Sequence, residues 1–160
     1  MKRILFVCTG NSCRSVMAQA LLQHRLKQLQ RQLHEPVEVA SAGVFAIEGM
    51  SASRDTVAVL GRLGVDVSGH MARMLTNEMV RDADQIFAME DTHVEEVVQR
   101  VPEAKAKTHL LRTYGLPPGS VASPANIPDP IGKPHDVYEA CLAAIQEAVE
   151  RVVQRIVGAS

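Results

Sequence analysis

Phe6-Val7-Cys8-Thr9-Gly10-Asn11-Ser12-Cys13-Arg14-Ser15 lies between a short apolar run, Ile4-Leu5-Phe6-Val7, and leucines at helical spacing, Leu22, Leu26, Leu29 and Leu33. A short run of strand formers reads as a strand buried on both faces, as in a parallel sheet. Gln23, Arg25, Lys27, Gln28 and Arg31 fall between the leucines, so Ser15 to about Leu33 is expected to form an amphipathic helix. Cys8 therefore ends a strand, Arg14 opens a helix, and a tight loop joins them.

Each residue type in that loop suits a phosphate dianion and an attack on it. The first turn of a helix has unpaired N–H groups and the positive end of its dipole, so the loop amides can surround an anion. The same field, with a guanidinium beside it, lowers a thiol pKa, so Cys8 can be a thiolate there, the nucleophilic form. Arg14 presents a planar fork of donors able to hold two phosphate oxygens into the transition state. Gly10 is expected to turn where a Cβ would obstruct, and Asn11 tolerates positive φ. Ser15 is placed to donate its hydroxyl to the sulfur, which helps the thiolate leave in a second step. A cation at a helix N-terminus opposes the dipole unless an anion sits there, which favours a binding role for Arg14 over a solvated one.

Further along, Val37 to Ala40, Gln85 to Met89 and Thr108 to Leu111 read as strands. Helices are expected at Asp55 to Leu63, stopped by Gly64; at Thr76 to Ala83, capped by Thr76; and at Asp91 to Val101, stopped by Pro102. Gly115 to Pro130 is rich in Pro, Gly and Ser and reads as a long loop. A final helix should bury Val137, Cys141, Ala144, Ile145, Ala148, Val152 and Ile156, and expose Glu139, Gln146, Glu147, Glu150, Arg151 and Arg155. Strands alternating with helices imply a doubly wound α/β fold, a parallel sheet with helices on both faces.

At 160 residues, with 46% hydrophobic and 22% charged residues, the chain is expected to be one domain over residues 1–160. A net charge of −1 offers no electrostatic footprint for nucleic acid or an anionic membrane, and two Tyr, three Phe and no Trp leave little for base stacking. No stretch approaches a membrane span, and Met1-Lys2-Arg3 enters an apolar run too short for a signal-peptide core. With three Cys, too few for a disulfide scaffold, the expected compartment is the cytoplasm.

Cleaving a phosphate ester needs a proton for the leaving group, and Ile127-Pro128-Asp129-Pro130-Ile131 supplies a carboxylic acid between two prolines that restrict its backbone. Alone, Asp-Pro marks a turn. In open α/β sheets the loops at the carboxyl ends of strands converge on one crevice, so Asp129 is expected to meet Cys8 and Arg14 there as general acid.

These residues resemble the low-molecular-weight protein tyrosine phosphatase family, with its bacterial protein-arginine-phosphatase branch. Cys8 to Ser15 matches the family's C-x5-R-S loop and Asp129-Pro130 its acid loop. Ser41-Ala42-Gly43 and Gly69-His70-Met71-Ala72-Arg73 resemble two further segments in the family's order. The resemblance implies a phosphatase I-like fold with a four-stranded parallel sheet, a cysteinyl-phosphate intermediate, and neither metal nor other cofactor. It implies that Thr9, Gly10, Asn11, Ser12, Cys13, Ser15 and Ile131 contact substrate, and that Asn11, Ser15, Ser41 and His70 form a hydrogen-bonded network under the loop. Cys13 matches a second loop cysteine that forms a reversible disulfide with Cys8 on oxidation, which protects the thiolate. The implied partners are a phosphorylated protein or peptide and phosphate-like oxyanions. His24, His34, His93, His109 and His135 show no metal-ligand spacing and read as solvated or structural. Cys141 reads as core.

Substrate choice is where the match is loosest. Ser12 stands where tyrosine-specific members carry a bulky aliphatic residue and the arginine-specific branch carries threonine; Ile131 stands where an aromatic is usual. Phosphotyrosine is the first reading and phosphoarginine the alternative. An arsenate reductase of this fold shares the loop, but its thioredoxin-coupled type needs a cysteine pair near residues 80 to 95, and none lies between Cys13 and Cys141. A phosphoryl carrier also uses a cysteine after its first strand; Arg14 and Asp129, which promote hydrolysis, argue against it.

Overall fold

The computed structural model describes residues 1–117, 119–120 and 125–158. Part of the expected Gly115 to Pro130 loop lies outside the described residues. Four parallel strands, β1 (Lys2–Cys8), β2 (Val37–Gly43), β3 (Gln85–Ala88) and β4 (Thr108–Leu110), form one sheet in the order β2-β1-β3-β4. Parallel neighbours need crossover connections, and the helices supply them. They are α1 (Arg14–Gln28), α2 (Arg54–Gly61), α3 (Asn77–Asp82), α4 (Asp91–Arg100) and α5 (His135–Gly158).

The period-two geometry of β1 divides the core. Ile4, Phe6 and Cys8 pack with α1 and α5 on one face, while Leu5 and Val7 pack with Val80 of α3 and Val97 of α4 on the other. Both faces are covered, so the strand is apolar from Ile4 to Cys8. The chain leaves β1 for β2 on one side and later returns to β3 on the other, so the strand order reverses beside β1, and the carboxyl ends of β1, β2 and β3 open a crevice there.

Helix starts follow local chemistry. The hydroxyl of Thr76 accepts the N–H of Met79 at 3.1 Å and that of Ser53 accepts the N–H of Thr56 at 3.3 Å, each satisfying one orphan donor of a first turn. By contrast, α1 begins with no side-chain cap and no acidic residue, leaving its N-terminal dipole uncompensated at the crevice.

Two expectations differ in detail. The helix expected to reach Leu33 ends at Gln28 and tightens into a 3₁₀ turn at Gln30–Gln32, which keeps Leu29 and Leu33 against the core while the chain turns toward β2. On α5, Val137 and Ala144 are only half-buried, whereas Tyr138, Leu142, Val149 and Val153 are buried, so the apolar face is broader and rotated from the expected stripe. Glu150 and Arg151 are half-buried, the first paired with Arg25 at 2.8 Å.

Candidate active site

The loop after β1 turns at Asn11, whose φ of 52° is the one positive value outside glycine among the described residues. Asparagine visits this region at low cost. Its turn points its own N–H at Cys8 Sγ, 3.3 Å away. The Asn11 side chain is fully buried and fully satisfied: Oδ1 accepts the N–H of Arg73 at 2.9 Å, and Nδ2 donates to Ser15 Oγ at 2.8 Å and to Ser41 Oγ at 2.9 Å. The Arg73 N–H fixes which end of the amide is oxygen. Ser15, having accepted from Asn11, has its own proton free for Cys8 Sγ at 2.9 Å, while Ser41 donates to Gln19 Oε1. His70 joins through the backbone, its Nε2–H donating to the Asn11 carbonyl at 2.8 Å. Such a network, buried with every member paired, holds one loop geometry.

Gly10 does not carry the steric role expected of it. Its φ is not positive, and a Cβ there would meet nothing nearer than Ser12 Oγ at 3.6 Å. The glycine the loop requires is Gly43 at the end of β2, where a Cβ would stand 2.4 Å from the Thr9 carbonyl oxygen and 2.9 Å from the Asn11 nitrogen. Both neighbours are backbone atoms of the anion loop, tied there by Val44 N–H to Cys8 O and Phe45 N–H to Thr9 O, each at 2.9 Å. Gly43→Ala is therefore expected to lower stability by about 1 to 3 kcal/mol and to push the loop out of shape. Urea denaturation checks the first effect and phosphate binding the second; a variant unchanged in both would mean that the close approach is not required.

Arg14 opens α1 and is nearly fully buried. Nη1 donates to Glu90 Oε2 and to the Ile127 carbonyl, both at 2.7 Å. Nη2 lies 3.4 Å from Thr9 Oγ1 and 3.6 Å from Asp129 Oδ2. Both Nη1 protons are thus engaged, which leaves the Nε and Nη2 edge for an anion. Ile127 leads directly into Pro128-Asp129, so one guanidinium ties the anion loop to the segment that holds Asp129. The Asp129 carboxylate accepts the Ile131 N–H at 3.1 Å, which fixes the turn after it. Cys8, Thr9, Ser12, Arg14, Asp129 and Ile131 all line one cavity of ≈ 210 Å³.

Cys8 departs from expectation. It is 2% exposed. Burial pushes its thiol above the ordinary value, and the Ser15 hydroxyl, the Arg14 charge and the N–H groups of Ser15 and Asn11 pull it back down. The donors expected around the sulfur are all present, and the loss of water around it opposes them. Cys13 lines the same cavity, its Sγ 3.3 Å from Ser53 Oγ and 3.8 Å from the Tyr138 hydroxyl. All three cysteines are free and buried, and burial pushes Cys141 up to about 12.

Glu90 and His93 were not singled out for the site from sequence, yet both touch it. Glu90 follows β3 at the carboxyl end of the sheet, the one signal that marked it, and holds Arg14. His93 is 2% exposed and caps α4, the structural of the two positions expected of it, and it also lies 2.8 Å from Thr9 Oγ1. Elsewhere His135, at the start of α5, sits 3.2 Å from Asp55 and 3.4 Å from Glu139. Among the described residues no three His, Cys, Asp or Glu side chains are grouped to hold a metal ion, and no helix is long and apolar enough to cross a membrane.

A strand, an anion loop opening a helix, a buried arginine and an acid from a later loop define a phosphate-handling α/β site. A family model described as low molecular weight phosphotyrosine protein phosphatase matches residues 3–159, and the chain belongs to that family. It is 40% identical over 154 residues to a protein-arginine-phosphatase of Geobacillus stearothermophilus, covering 96% of this chain and 95% of that one. It is 35% identical over 153 residues to the low molecular weight protein-tyrosine-phosphatase Etp of Escherichia coli K12, covering 96% and 93%. A solved structure of the YwlE arginine phosphatase, a mutant with a phosphorylated active site serine, superposes with a TM-score of 0.84 at 29% identity, covering 96% and 94% of the two chains.

Proposed function

We propose that the chain is a cysteine-dependent protein phosphatase in which Cys8 is the nucleophile, Arg14 the phosphate clamp and Asp129 the general acid. The observation that carries this is the convergence of those three side chains on one cavity, with the Ser15 hydroxyl 2.9 Å behind the sulfur. In the first step Cys8, having given up its proton to solvent, attacks phosphorus as the thiolate, the bond from phosphorus to the leaving atom breaks, and the Asp129 proton passes to that atom. In the second, water attacks the cysteinyl phosphate, Asp129 takes a proton from it, and the sulfur leaves as a thiolate held by Ser15 and Arg14. Thr9, Gly10, Asn11, Ser12, Cys13 and Ser15 supply loop contacts to the phosphoryl oxygens, and Ser41 and His70 hold the loop from behind. The phosphorylated active site serine in the YwlE mutant supports a covalent phosphoenzyme. Mild oxidation is proposed to join Cys8 to Cys13, which requires Cys13 to leave its contacts with Ser53 and Tyr138.

Phosphotyrosine on a protein or peptide is the first substrate reading. Phosphoarginine is the second, favoured by the cavity wall: no aromatic ring lines it among the described residues, Ser12 adds a hydroxyl, and Ile131, 52% exposed, offers a flat aliphatic contact. Stacking on a phenyl ring is then weak. Ser12→Ile is expected to raise the ratio of phosphotyrosine to phosphoarginine turnover and Ser12→Thr to lower it, by an amount worth about 1 to 3 kcal/mol between the two substrates. Turnover of both phosphorylated peptides by the purified variants checks it, and a shift in one common direction would remove Ser12 from substrate choice.

A further inference from the structure

The Thr9 hydroxyl receives two hydrogen bonds and makes none that the mechanism has used. The N–H of Glu90 donates to His93 Nδ1 at 3.1 Å, so that nitrogen carries no proton and a neutral ring must carry it on Nε2. Nε2–H then donates to Thr9 Oγ1 at 2.8 Å, and Arg14 Nη2 approaches the same oxygen at 3.4 Å. Burial and the adjacent Arg14 charge lower the His93 pKa to about 4, which keeps the ring neutral near pH 7. With both lone pairs of Oγ1 occupied, the polar capacity left to Thr9 is its own proton, which must point away from His93 and Arg14. Thr9 lines the anion cavity beside Cys8 and Asp129.

We propose that His93 is a positioning residue that fixes the Thr9 hydroxyl as a donor aimed into the anion cavity, where it bonds a phosphoryl oxygen. The proposal rests on the phosphatase reading and adds a donor outside the loop amides and Arg14. It also gives the segment after β3 two holds on the substrate site: Glu90 fixes the guanidinium, and His93, three residues on, fixes the hydroxyl. The alternative for His93 is a helix cap alone, since its Nδ1 satisfies the first residue before α4.

The two roles separate by substitution, because Asn places an acceptor near Nδ1 and has no atom near Nε2, whereas Gln places an N–H near Nε2 and has no acceptor near Nδ1. Inorganic phosphate binding is measured by calorimetry, and p-nitrophenyl phosphate turnover alongside it, for the wild type, Thr9→Val, His93→Asn, His93→Gln and the double variant Thr9→Val with His93→Asn. Loss of one hydrogen bond to a charged oxygen should weaken phosphate binding about tenfold in Thr9→Val. His93→Asn should approach that loss, His93→Gln should recover most of it, and the double variant should be no worse than Thr9→Val alone. Phosphate affinity of Thr9→Val within about twofold of wild type overturns the proposal whatever the His93 variants do. Losses that add in the double variant, or recovery by Asn and not Gln, reduce His93 to a cap. A wild type that neither binds phosphate nor turns over the ester would instead remove the phosphatase reading, and the proposal with it.

Discussion

Replacing Cys8 with serine is expected to lower turnover of p-nitrophenyl phosphate by about a thousandfold or more, equivalent to roughly 4 kcal/mol of barrier, while phosphate still binds. A serine hydroxyl ionises far less readily than a thiol, and a serine phosphate, once formed, gives a poorer leaving group for the second step. The anion loop stays intact because the Asn11 side chain, Ser41 and Gly43 shape it, and a serine Oγ can accept the Asn11 N–H in place of the sulfur. Steady-state kinetics and phosphate calorimetry check the two halves. Turnover within about tenfold of wild type would remove Cys8 from the nucleophile role.

Arg14→Lys is expected to cost about a hundredfold or more in kcat/KM, roughly 2.7 kcal/mol. Charge is conserved by this change, so the loss measures geometry. A single ammonium cannot satisfy Glu90 and the Ile127 carbonyl, both at 2.7 Å, and still offer two parallel donors to a phosphate. It also unties the Asp129 segment from the loop, so the acid step suffers together with binding. A loss below about tenfold, which is roughly 1.4 kcal/mol, would mean that the guanidinium is peripheral to the chemistry.

The parts of this molecule legible in its sequence are those written locally. A short apolar run before Cys8 and leucines at helical spacing after Arg14 suffice to place a loop between strand and helix. Thr76 and Gly64 marked helix ends because capping and positive φ are properties of single residues and their neighbours. Asp129 stood out once a nucleophile and a clamp were present to need an acid.

What was not legible depends on distant segments meeting. Gly10 looked like the loop's necessary glycine because it lies within the motif, but the close approach is between the end of β2 and the loop, so the constraint falls on Gly43. His93 looked like one of several unremarkable histidines; its contact with Thr9 spans 84 positions along the chain and exists only because β3 lies beside β1. The upward push on the Cys8 thiol has a related cause. The donors around the sulfur are local and countable, whereas its burial is made by the whole α1 and α5 face of the core.

The proposed chemistry turns on a phosphoryl group bound to the Cys8 sulfur. Asp129→Asn makes that species observable: p-nitrophenolate departs without a proton donor, so the first step proceeds, whereas attack by water lacks its base and the second step slows. The variant is mixed with p-nitrophenyl phosphate, denatured within the first turnover, digested and mapped by mass spectrometry. The mechanism predicts the mass of one phosphoryl group on the peptide that contains Cys8, and release of nitrophenol with that peptide unmodified, or with the group on another residue, would contradict it.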